Sequence, residues 1–338
     1  MVGAMTISVA DIHAARTVLR GKADATPLLL SPFMAARCGH DFLLKMETMQ
    51  PIGAFKLRGA MNAVAALGPE VAGVTCCSTG NHGRGVAHAA RARGLRAVIS
   101  MSRLVPQTKI DGIRALGAEV RIVGDSQDAA LAESRRLVAD EGLAEISPFD
   151  DARVIAGQGT IGLEIAEARP DLSLLLVPLS GGGLAAGVAL AAKTVAPGLK
   201  VIGVTMDRGA AMHLSLAAGR PVEVEEVASL ADSLGGGIGL DNRLSFPLCR
   251  DWLDGTVLVT EEEIRDAMQV LYFEDRMVAE GASAVGLAAV LSGKAKVTGP
   301  AATVVTGRNV DMGLFGAIMA GQDVTLGGVT VRGRVYGA

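Results

Sequence analysis

The stretch PIGAFKLRGA (Pro51–Ala60) sets one lysine, Lys56, between an aromatic neighbour, Phe55, and a basic residue, Arg58. An ε-amine on an apolar turn can shed its charge, attack an aldehyde and form a Schiff base, which a solvated lysine does poorly at neutral pH. Taken alone, such a lysine is more often a surface charge. Three further segments change that balance. CCSTGNHGRGV (Cys76–Val86) closes a β-like run with a small-residue turn and opens a helix, whose first backbone N–H groups can hold a carboxylate. VPLSGGGLAAG (Val177–Gly187) repeats the design after an apolar strand, and a glycine turn feeding a helix suits a phosphate. VVTGRNVDM (Val304–Met312) ends a third strand on a hydroxyl, Thr306, followed by a turn. Each segment also has a plain reading: a triple glycine is often a flexible turn, and Ser78 and Asn81 are ordinary residues for a helix N-cap.

In this order, with TPLL at Thr26, LKMETMQPIGAFKLRGA, STGNHG, VIAGQGTIGLEI, ADSLGGGIG and TGRNVD, the chain resembles the fold type II pyridoxal-phosphate enzymes from about Ile12 to Asp311. Within them it is most similar to the threonine dehydratase and serine racemase group. STGNHGRG, ADSLGGGIGLDN and TGRNVDM further resemble the hydroxyectoine-utilisation dehydratases.

The resemblance implies a tryptophan synthase β-like architecture of two open, mainly parallel sheets. Residues 1–72 and 151–338 would form a large, discontinuous cofactor-binding domain, and 73–150 a small one. It further implies pyridoxal 5'-phosphate as cofactor, a homodimer, and no room after Asp311 for a regulatory domain.

The residues carry a coarser version of the same architecture. Apolar runs at 73–78, 96–101, 119–123, 174–179, 201–206 and 302–306 alternate with helical segments at 81–92, 107–116, 127–140, 153–168 and 261–271. That alternation predicts an α/β fold with mainly parallel sheets. Composition marks no linker. The 338 residues can bury a substantial core. A net charge of -3 lacks the basic surplus of a nucleic-acid binder. No segment supplies the roughly 20 continuous apolar residues of a membrane span. The N-terminus shows no export signal and reads as a helix capped by Ser8 with Asp11 in its first turn. Cysteines at 38, 76, 77 and 249 fit no zinc spacing, so reduced thiols in a cytoplasmic protein are expected.

By resemblance, Lys56 carries the cofactor and removes the substrate's α-proton, while Phe55 packs on the ring. Ser180, Gly181, Gly182, Gly183 and Leu184 hold the phosphate, and Asn81 meets the phenolic oxygen. The turn Ser78, Thr79, Gly80, Asn81 and His82 receives the substrate carboxylate. Ser233 and Glu280 line the ring's surroundings; for Glu280 a solvated helix cap is the competing reading. Thr306 faces the pyridine nitrogen, where a hydroxyl, unlike a carboxylate, holds no proton on the ring and so favours β-elimination over transamination.

Departures from the group sharpen the expectation. Thr79 replaces the serine that racemases use as a second base. Thr205 and Ala211 stand where relatives offer carboxylates to a divalent cation, so no metal is expected, with Asp207 keeping the point open. Arg308 would reach a substrate tail or pair at the surface.

The function expected is elimination of water from a 3-hydroxy amino acid to give a 2-oxo acid and ammonia. Candidate substrates are 3-hydroxy-2,4-diaminobutyrate, 3-hydroxyaspartate, threonine and serine. A racemase and a non-catalytic metabolite binder are the alternatives.

Overall fold

The computed structural model describes residues 7–78, 80–103, 105, 107–125 and 127–338, with the side chains of 108, 127 and 128 outside the description. Ten strands carry the architecture: β1 (Leu28–Leu30), β2 (Phe42–Met46), β3 (Gly73–Cys77), β4 (Arg96–Met101), β5 (Glu119–Ile122), β6 (Ala144–Glu145), β7 (Leu174–Pro178), β8 (Lys200–Met206), β9 (Gly255–Val259) and β10 (Ala301–Val305). The larger sheet has the order β1-β2-β10-β7-β8-β9 and the smaller β5-β4-β3-β6. All pairings are parallel except that of β1 with β2. A terminal hairpin, Val324–Leu326 with Val329–Val331, lies outside both sheets.

Side-chain alternation explains why the larger sheet is covered on both faces. Strands β2, β7 and β10 are buried at every position. Leu175 and Val177 of β7, with Val304 of β10, pack toward the helices Ala152–Ala168 and Gly183–Val195. Leu174 and Leu176 instead join the helices Glu261–Phe273 and Gly281–Leu291. At about 25 cal/mol per Å², each fully buried leucine or valine contributes about 1.5–3 kcal/mol before cavity and entropy terms. Strand β2 escaped the sequence reading because Lys45 interrupts its apolar run. Inside the fold that ammonium is buried and donates to Thr26 O at 2.6 Å and Glu164 Oε2 at 2.5 Å.

Arg58 anchors the helix Lys56–Ala65. Its guanidinium, 2% exposed, donates to both oxygens of Glu47 (2.8 and 2.9 Å), both of Glu164 (2.5 and 2.9 Å), Thr160 Oγ1 (3.0 Å) and Asp24 O (3.0 Å). All five N–H donors of the planar fork are engaged, which lysine could not reproduce. Residues two apart on a helix face opposite ways, so anchoring Arg58 in the core aims Lys56 at the other side.

The glycines of VIAGQGTIGLEI are packing devices. A Cβ on Gly162 would lie 2.4 Å from Val188 O and 3.0 Å from Val188 Cα, and one on Gly187 would lie 2.3 Å from Ile155 O. The two helices beneath β7 therefore touch backbone to backbone. Among the described residues no helix is long and apolar enough to cross a membrane. Gly162→Ala is expected to destabilise the fold by about 1–3 kcal/mol in chemical denaturation, because the obstruction is backbone and cannot swing aside. Unchanged stability would contradict this close helix contact.

Candidate active site

Three parallel strands deliver the site at their C-terminal ends, where ligands of open α/β sheets collect. Strand β3 leads into Ser78–His82, β7 into Ser180–Leu184 and β10 into Thr306. Around these ends lies a cavity of about 570 Å³, within the range of small-molecule sites. Its wall includes Phe55, Lys56, Ser78, Gly80, Asn81, His82, the 180–184 loop, Ser233 and Thr306. Thr79 lies outside the described residues.

A short antiparallel zipper fixes Phe55 and Lys56 against the end of β10. Phe55 N donates to Thr306 O (2.9 Å), Arg308 N to Gly53 O (2.9 Å), and Ala54 bridges Gly307. Gly53 adopts φ +75°, and a Cβ there would press on Asn309 Oδ1 at 3.0 Å, so the turn requires glycine. Arg308 is exposed beside this turn and is not part of the cavity wall.

Lys56 opens its helix, and its Nζ donates to Pro148 O at 2.6 Å, 5.3 Å from the Phe55 ring centroid. No carboxylate pairs with it among the described residues. Burial brings its pKa down to about 8, opposed only by Cys76. The positive end of its own helix acts in the same direction. A substantial fraction of this amine is neutral near physiological pH.

The glycine loop is a second element with no acceptors of its own. Gly182 caps the helix at φ 91°, and the first helical hydrogen bond runs from Ala186 N to Gly182 O (2.8 Å). Among the described residues no acceptor takes the N–H groups of Gly181 to Ala185. Side chains are excluded here: a Cβ on Gly181 would meet the Phe149 ring at 2.2 Å, and one on Gly182 would meet Met212 Cε at 2.6 Å. From behind, Ser245 Oγ donates to Gly181 O (2.6 Å) and Cys249 Sγ to Gly182 O (3.6 Å). The carbonyls are thus turned into the protein. Free donors at a helix N-terminus suit a phosphate.

The Ser78–His82 turn repeats the arrangement at the helix Asn81–Arg93, with Gly80 N donating to Ser78 Oγ at 3.4 Å. His82 is buried with one ring nitrogen, Nε2, 2.8 Å from Ile146 O. That carbonyl can only accept, so Nε2 carries the proton, and Nδ1 is a buried acceptor without a partner. Burial, with Lys56 second, pushes its pKa down to about 3. A neutral imidazole can hold the turn or accept one hydrogen bond, but it is no acid.

Glu280 occupies the N-cap position of the helix Gly281–Leu291 without capping it. Its carboxylate is only 5% exposed and accepts from Asn81 Nδ2 (3.0 and 2.9 Å) and Asn309 N (2.7 Å). The solvated helix cap is therefore excluded. Burial raises its pKa, against the lowering effect of those donors. Thr306 is 5% exposed and its hydroxyl lies 3.0 Å from Ser283 Oγ. Ser283 Oγ also meets Gly307 O and Gly307 N, both at 2.8 Å. Ser233 is exposed and lines the cavity beside an ion pair of Lys109 and Asp232 at 3.3 Å, both also in its wall.

Sequence reading missed Asn309, Ser283 and the Pro148 carbonyl. Asn309 was visible only as a letter of TGRNVD, and a backbone acceptor ninety-two residues away carries no sequence signal. Near Asp207, Glu261 is already engaged by Arg208 (3.1 Å) and Leu230 N (2.8 Å). Among the described residues no group of three or more His, Cys, Asp or Glu could hold a metal ion.

An amine of lowered pKa, helix starts with free backbone donors, the Phe55 ring and a buried hydroxyl line one cavity, and these residues fit a phosphorylated aldehyde. Residues 20–307 match the family described as "Pyridoxal-phosphate dependent enzyme", and the chain belongs to that family. A Sinorhizobium fredii protein whose name proposes a threonine dehydratase is 52% identical, over 93% of this chain and 96% of its own. The Thermotoga maritima L-threonine ammonia-lyase is 42% identical, over 93% of this chain and 78% of its own. The structure of maize serine racemase superposes with a TM-score of 0.88 at 32% identity, covering 93% of this chain and 97% of that one. The chain is thus a fold type II pyridoxal-phosphate enzyme whose relatives include threonine dehydratases and serine racemases.

Protonation of His82 gives a pH test. Its pKa is lowered by folding, so its contribution is present above about 6.5 and is lost as pH falls toward about 3. Between about pH 6.5 and 5, the melting temperature of the native protein is expected to drop more than that of His82→Asn. Equal drops would mean that the imidazole is not held neutral.

Proposed function

We propose that the protein is an ammonia-lyase that eliminates water from a 3-hydroxy amino acid, giving a 2-oxo acid and ammonia, within hydroxyectoine catabolism. The observation that carries the reading is the Lys56 amine, partly buried in the cavity wall, with no carboxylate partner among the described residues and with the helix starts at 81 and 183 lining the same cavity. Lys56 would hold the cofactor aldehyde, and its free amine would be the group to take the proton from the substrate's α-carbon. The bound cofactor supplies the electron sink for that proton's departure.

The remaining roles follow from the donors present. N–H groups of the 180–184 loop bind the phosphate, and those of the 78–82 turn bind the substrate carboxylate. Asn81 donates to the phenolic oxygen. The Thr306 hydroxyl would face the ring nitrogen and, unlike a carboxylate, would hold no proton on it. Phe55 covers one ring face, with Ser233 and Glu280 at its edge. The α-proton and the β-hydroxyl leave together as one water; the released enamine tautomerises to an imine, whose hydrolysis consumes one water and frees ammonia, so the atoms balance.

The name of the Thermotoga maritima relative supports lyase chemistry, and the similarity to serine racemase favours racemisation as the second reading. The division into 1–72 with 151–338 and 73–150, a homodimer and a cytoplasmic location belong to the same proposal. The test is release of keto acid and ammonia across a panel of 3-hydroxy amino acids, with chiral analysis of recovered substrate. Turnover of one panel member is expected, falling by about 10²–10⁴-fold or more in Lys56→Ala. Recovery of both enantiomers without keto acid would replace the lyase by a racemase.

A further inference from the structure

An asparagine beside a ligand can present either end of its amide, and only one end donates. The placing of Asn81 against the phenolic oxygen therefore needs something that decides which way the amide faces. The structure contains such a device, and its parts leave no ambiguity of assignment. The carbonyl of Ile52 can only accept, so the Asn309 side-chain atom 2.9 Å from it is Nδ2. The same Nδ2 lies 2.6 Å from Asn81, so the Asn81 atom facing it is the acceptor, Oδ1. The opposite end of the Asn81 amide meets both oxygens of Glu280, which accept when ionised. Asn309 N also donates to Glu280 Oε1 at 2.7 Å, which ties the two flanking groups to each other.

The inventory then closes. Asn309 Nδ2 spends its two hydrogens on Ile52 O and Asn81 Oδ1. The two Glu280 oxygens, at 3.0 and 2.9 Å, belong to one carboxylate and can share a single Asn81 N–H, which leaves the second hydrogen of Nδ2 free at a residue lining the cavity. We infer that Asn309 is a positioning residue that locks the Asn81 amide with its spare N–H toward the cofactor, the lock being carried by the Ile52–Asn309–Asn81–Glu280 chain of hydrogen bonds. Asn309 is absent from the wall of the 570 Å³ cavity and lines, with Asn81 and Glu280, a smaller pocket that adjoins it; its hydrogen bond to Asn81 is the route by which it would act on the cofactor. Cutting Asn309 leaves Asn81 Oδ1 without its donor and frees the amide to turn.

This inference rests on the proposed contact between Asn81 and the cofactor, and a double-mutant cycle separates the two. Cofactor-stripped Asn81→Ala, Asn309→Ala and the double variant are titrated with pyridoxal phosphate, recording the dissociation constant and the absorption maximum of the bound form. Circular dichroism and thermal unfolding check the fold, and Asn309→Ser replaces Asn309→Ala in the cycle if the alanine variant does not fold. Each single substitution is expected to weaken binding about tenfold and to shift the absorption maximum in the same direction. The double variant should be no weaker than Asn81→Ala alone. Additive losses, or an unchanged constant in Asn309→Ala, overturn the inference while leaving the Asn81 contact standing. Native affinity in Asn81→Ala overturns that contact, and the inference falls with it.

Discussion

A partly buried primary amine with no counter-ion among the described residues is the constraint on which this protein depends. Removing a cation from water is unfavourable unless a charge is supplied in return, and the usual outcome is that the group gives up its proton. At Lys56 the compensation is one carbonyl, Pro148 O, and the fold adds the positive end of a helix. The nearby Arg58 receives the opposite treatment. Two carboxylates, a hydroxyl and a carbonyl surround it, and it remains a charged root for the helix. One turn of helix thus holds a cation stabilised for structure and an amine destabilised for chemistry.

The rest of the site follows from parallel topology. Because β3, β7 and β10 run parallel to their neighbours within their sheets, their ends, with the helix starts after β3 and β7, gather around one cavity. Two of these starts present backbone donors, and glycine is needed wherever Phe149 or Met212 approaches the loop. The end of β10 contributes a hydroxyl in place of a charge and grips the lysine-bearing turn through the zipper from 53–55 to 306–308. The Thr306 hydroxyl and the Lys56 amine are therefore mechanically linked.

Much of this was legible in the chain. The buried strands β4, β7 and β10 announced themselves by their apolar runs, because a strand covered on both faces needs a continuous one, and the helix after β7 by its glycine turn. Strand β2 did not, since the charge of Lys45 is hidden by partners distant in sequence, Glu164 foremost. Lys56, the glycine loop and Thr306 were found from their local spelling. Asn309 and Ser283 were not, as their meaning lies in which atoms they face across the fold. Glu280 shows the same limit: its spelling allowed a solvated cap, and only its contacts with Asn81 and Asn309 reveal a buried carboxylate. Arg308, expected to reach substrate or pair at the surface, is exposed outside the cavity wall.

The central claim, that the amine of Lys56 is the group that bonds the cofactor, is tested most directly by trapping that bond. The protein is loaded with pyridoxal phosphate, reduced with borohydride, digested and mapped by mass spectrometry. A stable phosphopyridoxyl group on the peptide carrying Lys56, and on no other lysine at comparable yield, is the predicted result. An unmodified Lys56 with the label elsewhere, or no label on a folded protein that has bound the cofactor, would contradict the account.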